Sequence, residues 1–157
     1  MAVEHSTLTT TDLHEPKGVA AASVDQTYIA DGAASGTWTD SDNSIYLFGT
    51  INDISTAASF WLPSPCTGTI TKIQTIINGA LATADAVLTF ELGGTLITDG
   101  SSNNLTITQS GSAAGDVDTM TPTGARTLAV GTKIEMITAG ASVNTVIAQV
   151  IFTVAPT

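Results

Sequence analysis

Few side chains in this sequence can do chemistry, and their spacing narrows what is open to them. His5 and His14, with Glu4, Asp12 and Glu15 nearby, offer donors to a transition metal. They lack the i, i+3 or i, i+4 pairing of a formed site, so they read as polar residues and no metal is expected there. The run Asp40-Ser41-Asp42-Asn43-Ser44 begins like a calcium loop, with oxygen donors at alternate positions. It has neither the following glycine nor the distal glutamate of an EF-hand, and reads as an Asx-rich turn. Cys66 has no histidine near it in sequence to act as a base, and between Pro65 and Thr67-Gly68 it reads as a small half-buried residue. Glu91 and Glu135 stand at outward positions of expected strands. Facing each other they would have the makings of a glycosidase pair, but nothing in the sequence fixes their separation, and outward strand positions normally hold solvated charges. No catalytic residue and no cofactor site is expected.

The aromatic side chains point to binding instead. Tyr28, Trp38, Tyr46 and Trp61 have the rings that line sugar-binding faces in carbohydrate-binding sandwiches. Trp61, inside the apolar run Ser59-Phe60-Trp61-Leu62, is expected in the core. Trp38, between Gly36 and Asp40, fits either a plug against its own domain or an anchor in a partner. The four cations, Lys17, Lys72, Arg126 and Lys133, are scattered and are expected to form separate salt bridges.

Composition agrees with a structural or binding role. The chain has 157 residues, the size of one domain. Only 11% are charged, and acids outnumber bases 14 to 4 for a net charge of -10. That balance repels a polyphosphate at long range, so no nucleic-acid partner is expected. The start of the sequence has no basic region followed by an apolar run, so no secretory signal is expected. No stretch reaches the roughly 18 apolar residues of a membrane helix, so no membrane association is expected. One cysteine cannot staple the fold, which leaves a buried core as the source of cohesion.

Residues 1–37 are rich in Thr, Ser, Asp, Gly and Ala and poor in large apolar side chains. Such a segment buries too little surface to offset its ordering entropy and is expected as an extended N-terminal arm that orders against another surface. Glu15-Pro16-Lys17-Gly18 is a turn signal within it. Residues 38–157 are expected as a single β-domain, with strands at 45–51, 59–62, 69–77, 86–92, 95–98, 105–108, 126–129, 132–137 and 146–154, and a loose stretch from 110 to 124. Thr69 to Ile77 needs a bulge to restore its alternation. About eight short strands separated by turn residues indicate an all-β, antiparallel sandwich, with a jelly roll as the preferred topology.

The stretch His14-Glu15-Pro16-Lys17-Gly18, its Ala-rich continuation, Tyr28-Ile29-Ala30-Asp31-Gly32, the close at Gly36-Thr37-Trp38 and the Thr/Gly-rich β-domain resemble tailed-bacteriophage virion proteins, above all the capsid decoration, or cement, proteins. Val130-Gly131-Thr132-Lys133-Ile134-Glu135-Met136 followed by a long final strand is similar to the end of phage jelly-roll modules. The resemblance implies a β-domain added to the outer capsid surface of the virion, assembled in the host cytoplasm. It implies a dimer or trimer, and an arm bridging neighbouring major capsid proteins. The bulky, rigid or charged members of the arm, Leu13, His14, Pro16, Lys17, Tyr28 and Trp38, are the expected contacts with that partner. A head- or tail-fibre receptor-binding module and a carbohydrate-binding sandwich are the alternatives.

Overall fold

The computed structural model describes residues 26–30, 36–41, 43–140 and 142–157. The expectations placed on His5, Leu13, His14, Pro16, Lys17 and Asp42 lie outside the described residues. The chain divides after Asn43 into two units. In the first, β1 (Gln26–Ala30) and β2 (Gly36–Asp40) pair antiparallel, with Tyr28 opposite Trp38. Trp38 thus belongs to this unit.

The second unit is an antiparallel β-sandwich. Its strands are β3 (Ile45–Ile51), β4 (Ala58–Pro63), β5 (Gly68–Ile77), β6 (Ala86–Leu92), β7 (Thr95–Leu96), β8 (Leu105–Ile107), β9 (Val117–Met120), β10 (Thr127–Leu128), β11 (Lys133–Thr138) and β12 (Ala148–Pro156). One sheet runs β3-β12-β5, with β9 and β10 both on β5; the other runs β4-β11-β6, with β7 and β8 both on β6. Leaving aside the two-residue strands β7 and β10, the orders 3-12-5-9 and 4-11-6-8 are those of a jelly roll, in which successive strands mostly alternate between sheets.

Alternation builds the core. β6 buries Ala86, Leu88, Phe90 and Leu92 and turns Val87, Thr89 and Glu91 outward. Val146, Ala148, Val150, Phe152 and Val154 are buried from the other sheet, and Phe90 meets Phe152 edge-to-face with ring centroids 5.6 Å apart. The expected bulge is present: Thr153 pairs with Lys72 and Val154 with Ile70, which leaves Thr71 as the extra residue. Without it Ile70 and Ile73 would face opposite sides. Gly93 and Gly94, at φ 57° and 88°, make the tight turn between β6 and β7, a conformation that side-chain-bearing residues resist. β9 is a strand the sequence reading missed inside the expected loop 110–124. Val117-Asp118-Thr119-Met120 has one large apolar residue facing in, and its pairing with β5 supplies the rest of its stability.

Most polar side chains on the core side are satisfied. Thr138 Oγ1 donates to the Thr56 carbonyl and accepts from Ala58 N–H at 3.0 Å, and Ser112 Oγ accepts from Leu81 N–H at 2.9 Å. Thr75 and Asp118 are different. They stand opposite each other on β5 and β9, and Thr75 Oγ1 and Asp118 Oδ2 are both buried without a partner. Burial, and then repulsion from Asp116, push the Asp118 carboxyl above its ordinary range. An acid whose folded pKa is raised opposes folding once it ionises, so the penalty is fully present above the folded pKa and disappears below the unfolded one. Asp118→Asn is therefore expected to raise the thermal midpoint at neutral pH, with the gain shrinking to nothing as pH falls to about 4. A gain that stayed constant down to that pH would contradict the assignment.

Candidate functional site

Among the described residues no group of three or more His, Cys, Asp or Glu side chains could hold a metal ion. Cys66 is half-buried and packs against the core. A cleft of about 400 Å³ is lined by Leu92, Thr95, Thr123, Ala125, Arg126 and Thr127. Its one ionisable lining group, Arg126, donates to the Pro122 carbonyl at 3.0 Å. The cleft offers neither a nucleophile with a base nor a pair of acids.

What the molecule does present is exposed apolar surface. In the first unit the Tyr28 and Trp38 rings lie 5.2 Å apart at 59°, and Ile29 is exposed. This is where the structure places the two expected contact residues it describes, and it brings them together. The Trp38 indole nitrogen is buried with no hydrogen-bond partner.

In the second unit the exposed rings fall on two edge strands. β3 ends one sheet and β4 ends the other among the described strands, and neither Ile45–Ile51 nor Ala58–Pro63 contains a charged residue. Edge strands are usually blunted by charges, because their free N–H and C=O groups invite another chain. Alternation turns Leu47 and Ile51 inward and leaves Tyr46 and Phe48 facing out, 52% and 64% exposed. Across β12 and β5 the same outer face continues through Ile151 beside Phe48 and Ile76 beside Val117.

Trp61, expected in the core, is 57% exposed. Phe60 and Leu62 are the neighbours that pack on the core, so alternation along β4 forces Trp61 out onto the other face. An unbroken apolar run on an edge strand hides this, because hydrophobicity alone does not say which parity faces in. Trp61 lies opposite Glu135 on β11, and Glu135 lies opposite Glu91 on β6. The register thus brings together the two carboxylates the sequence could not place. Hydrogen bonds from the Ser59 and Trp61 side chains, with Lys133 adding its charge, hold the Glu135 carboxyl below its usual range against the opposing effect of burial. Lys133 Nζ is 3.5 Å from Glu135 Oε2 and 5.8 Å from the centre of the Trp61 ring. This is the one expected salt bridge that forms among the described residues; Lys72 and Arg126 have none. Both carboxylates lie on the outer side of an open sheet, half-buried, and Glu135 is paired with Lys133, which leaves it poorly suited to proton transfer.

No protein-family model matches the chain, and no curated protein is similar to it. Its surfaces must therefore be read on their own chemistry.

Proposed function

We propose that the protein is a virion structural protein that decorates the outer capsid surface and stabilises it by bridging neighbouring major capsid proteins. The observation that carries this reading is the placement of Tyr46, Phe48 and Trp61 outward on two uncharged edge strands. Large exposed side chains on an uncharged rim are what a protein-binding surface requires, since they bury apolar area with little desolvation cost. The N-terminal unit supplies a second element, the Tyr28–Trp38 pair, within a segment that holds Glu4, Asp12, Glu15, Asp25, Asp31, Asp40 and Asp42 against Lys17 alone. Two linked contact elements bind more tightly than either alone, because engagement of one raises the effective concentration of the other. The β3 edge also suits self-association into a dimer or trimer, as two copies can meet there without bringing like charges together. The reading needs no enzymatic step, no cofactor, no nucleic acid and no membrane.

A glycan-binding module is the second reading, favoured by the exposed Trp61 alone. The two part on the N-terminal segment, which a decoration protein needs for docking and a glycan-binding sandwich does not. Adding the full chain or residues 44–157 to undecorated capsids, and both to a panel of glycans, separates them.

A further inference from the structure

We propose that the sheet face around Trp61 receives a basic side chain, by preference an arginine, from the protein partner. The inference rests on the reading that this chain binds a protein, and it names the chemistry of the contact on the β4-β11-β6 face.

The Trp61 ring is exposed and stands directly opposite Glu135 on β11. It already attracts a cation, the Lys133 ammonium, which lies over it while also pairing with Glu135. Beyond Glu135, Glu91 occupies the directly opposite position on β6. Like charges opposed across two strands weaken a sheet, so this arrangement costs stability. Lys133 compensates Glu135, whereas Glu91 has neither a cation nor a hydrogen-bond donor among the described residues. An incoming guanidinium can stack on the indole and place its forked N–H groups on the Glu91 carboxylate, which removes the repulsion. A lysine offers the charge without the planar stack.

The charge of the whole chain selects among occupants. With a net charge of -10 and four scattered cations, a second copy brings mostly like charge to this face, whereas a basic surface on another protein is complementary. A sugar fits less well. Trp61 is the single aromatic ring on this face among the described residues, and Glu135, the carboxylate beside it, is already paired with Lys133.

The test uses the purified full chain and a short Gly/Arg peptide, followed through the indole N–H resonances of Trp61 and Trp38. The expected result is a saturable shift at Trp61 with Trp38 unmoved. Glu91→Gln should weaken binding about tenfold by removing the charge-assisted bond, while its thermal midpoint stays at or above that of the parent because the repulsion is relieved. Lys133→Ala should tighten binding severalfold, since it vacates the ring and leaves Glu135 uncompensated. A Gly/Ser peptide should produce no shift. Equal response to the two peptides, indifference to Glu91→Gln, or a Trp61 shift with chitohexaose and none with the arginine peptide would each overturn the proposal. None of these measurements uses a capsid, so their failure leaves the decoration reading standing, and failure of decoration leaves the peptide result intact.

Discussion

Phe152→Ala is expected to destabilise the protein by about 3–5 kcal/mol, the range for emptying a fully buried aromatic site. Phe152 is wholly buried on β12, the strand that joins β3 to β5, and its ring meets Phe90 of the opposite sheet edge-to-face. The substitution removes the transfer free energy of the ring, leaves a cavity, and breaks the aromatic contact between the sheets. Leu88, Ile134 and Val150 are also fully buried and belong to strands pinned by hydrogen-bonded ladders, so the core has little freedom to collapse into the space. Urea unfolding of the variant reads the loss directly. A loss below about 1 kcal/mol would mean that the two sheets are not held together at this point.

Gly140→Ala is expected to cost about 2–4 kcal/mol by a different route. Gly140 has φ 67°, where a side chain is strained, and an added methyl would lie 2.3 Å from the backbone nitrogen of Ala57. The 53–57 loop cannot simply retreat. Ser55 N–H and Thr56 Oγ1 both bond to the Asp53 carboxylate, and Thr138 holds the loop from the other side. Gly93→Ala is the control. Gly93 has φ 57° with nothing within 4 Å of the added carbon, so it carries the strain without the collision. The difference between the two midpoints measures the clash, and equal losses would contradict the close approach of Gly140 to Ala57.

Much of the sandwich was legible because its strands obey period two. Leu88, Phe90 and Leu92 on β6, and Ala148, Val150, Phe152 and Val154 on β12, could be assigned to the core from alternation alone, and the broken alternation of Thr69 to Ile77 called for a bulge, which the pairing puts at Thr71. β9 was not legible, because its four residues carry no period of their own and are made a strand by β5. The Trp61 face failed for a related reason. In Ser59-Phe60-Trp61-Leu62 three large apolar residues adjoin, and only the sandwich decides that Phe60 and Leu62 take the inside. The adjacency of Trp61, Glu135 and Glu91 depends on register between strands far apart in sequence, which no local pattern encodes.

If the protein decorates a capsid as proposed, it needs its N-terminal segment to do so. The sandwich can be tested without that segment, since every buried core residue among the described residues belongs to the second unit. The direct measurement is the amount of protein bound to undecorated capsids of the proposed partner virion, for the full chain and for residues 44–157 at equal concentration. The full chain is expected to saturate the capsids, while the truncated chain, folded by its melting curve, binds at least tenfold more weakly. Equal decoration by the two would contradict the proposal.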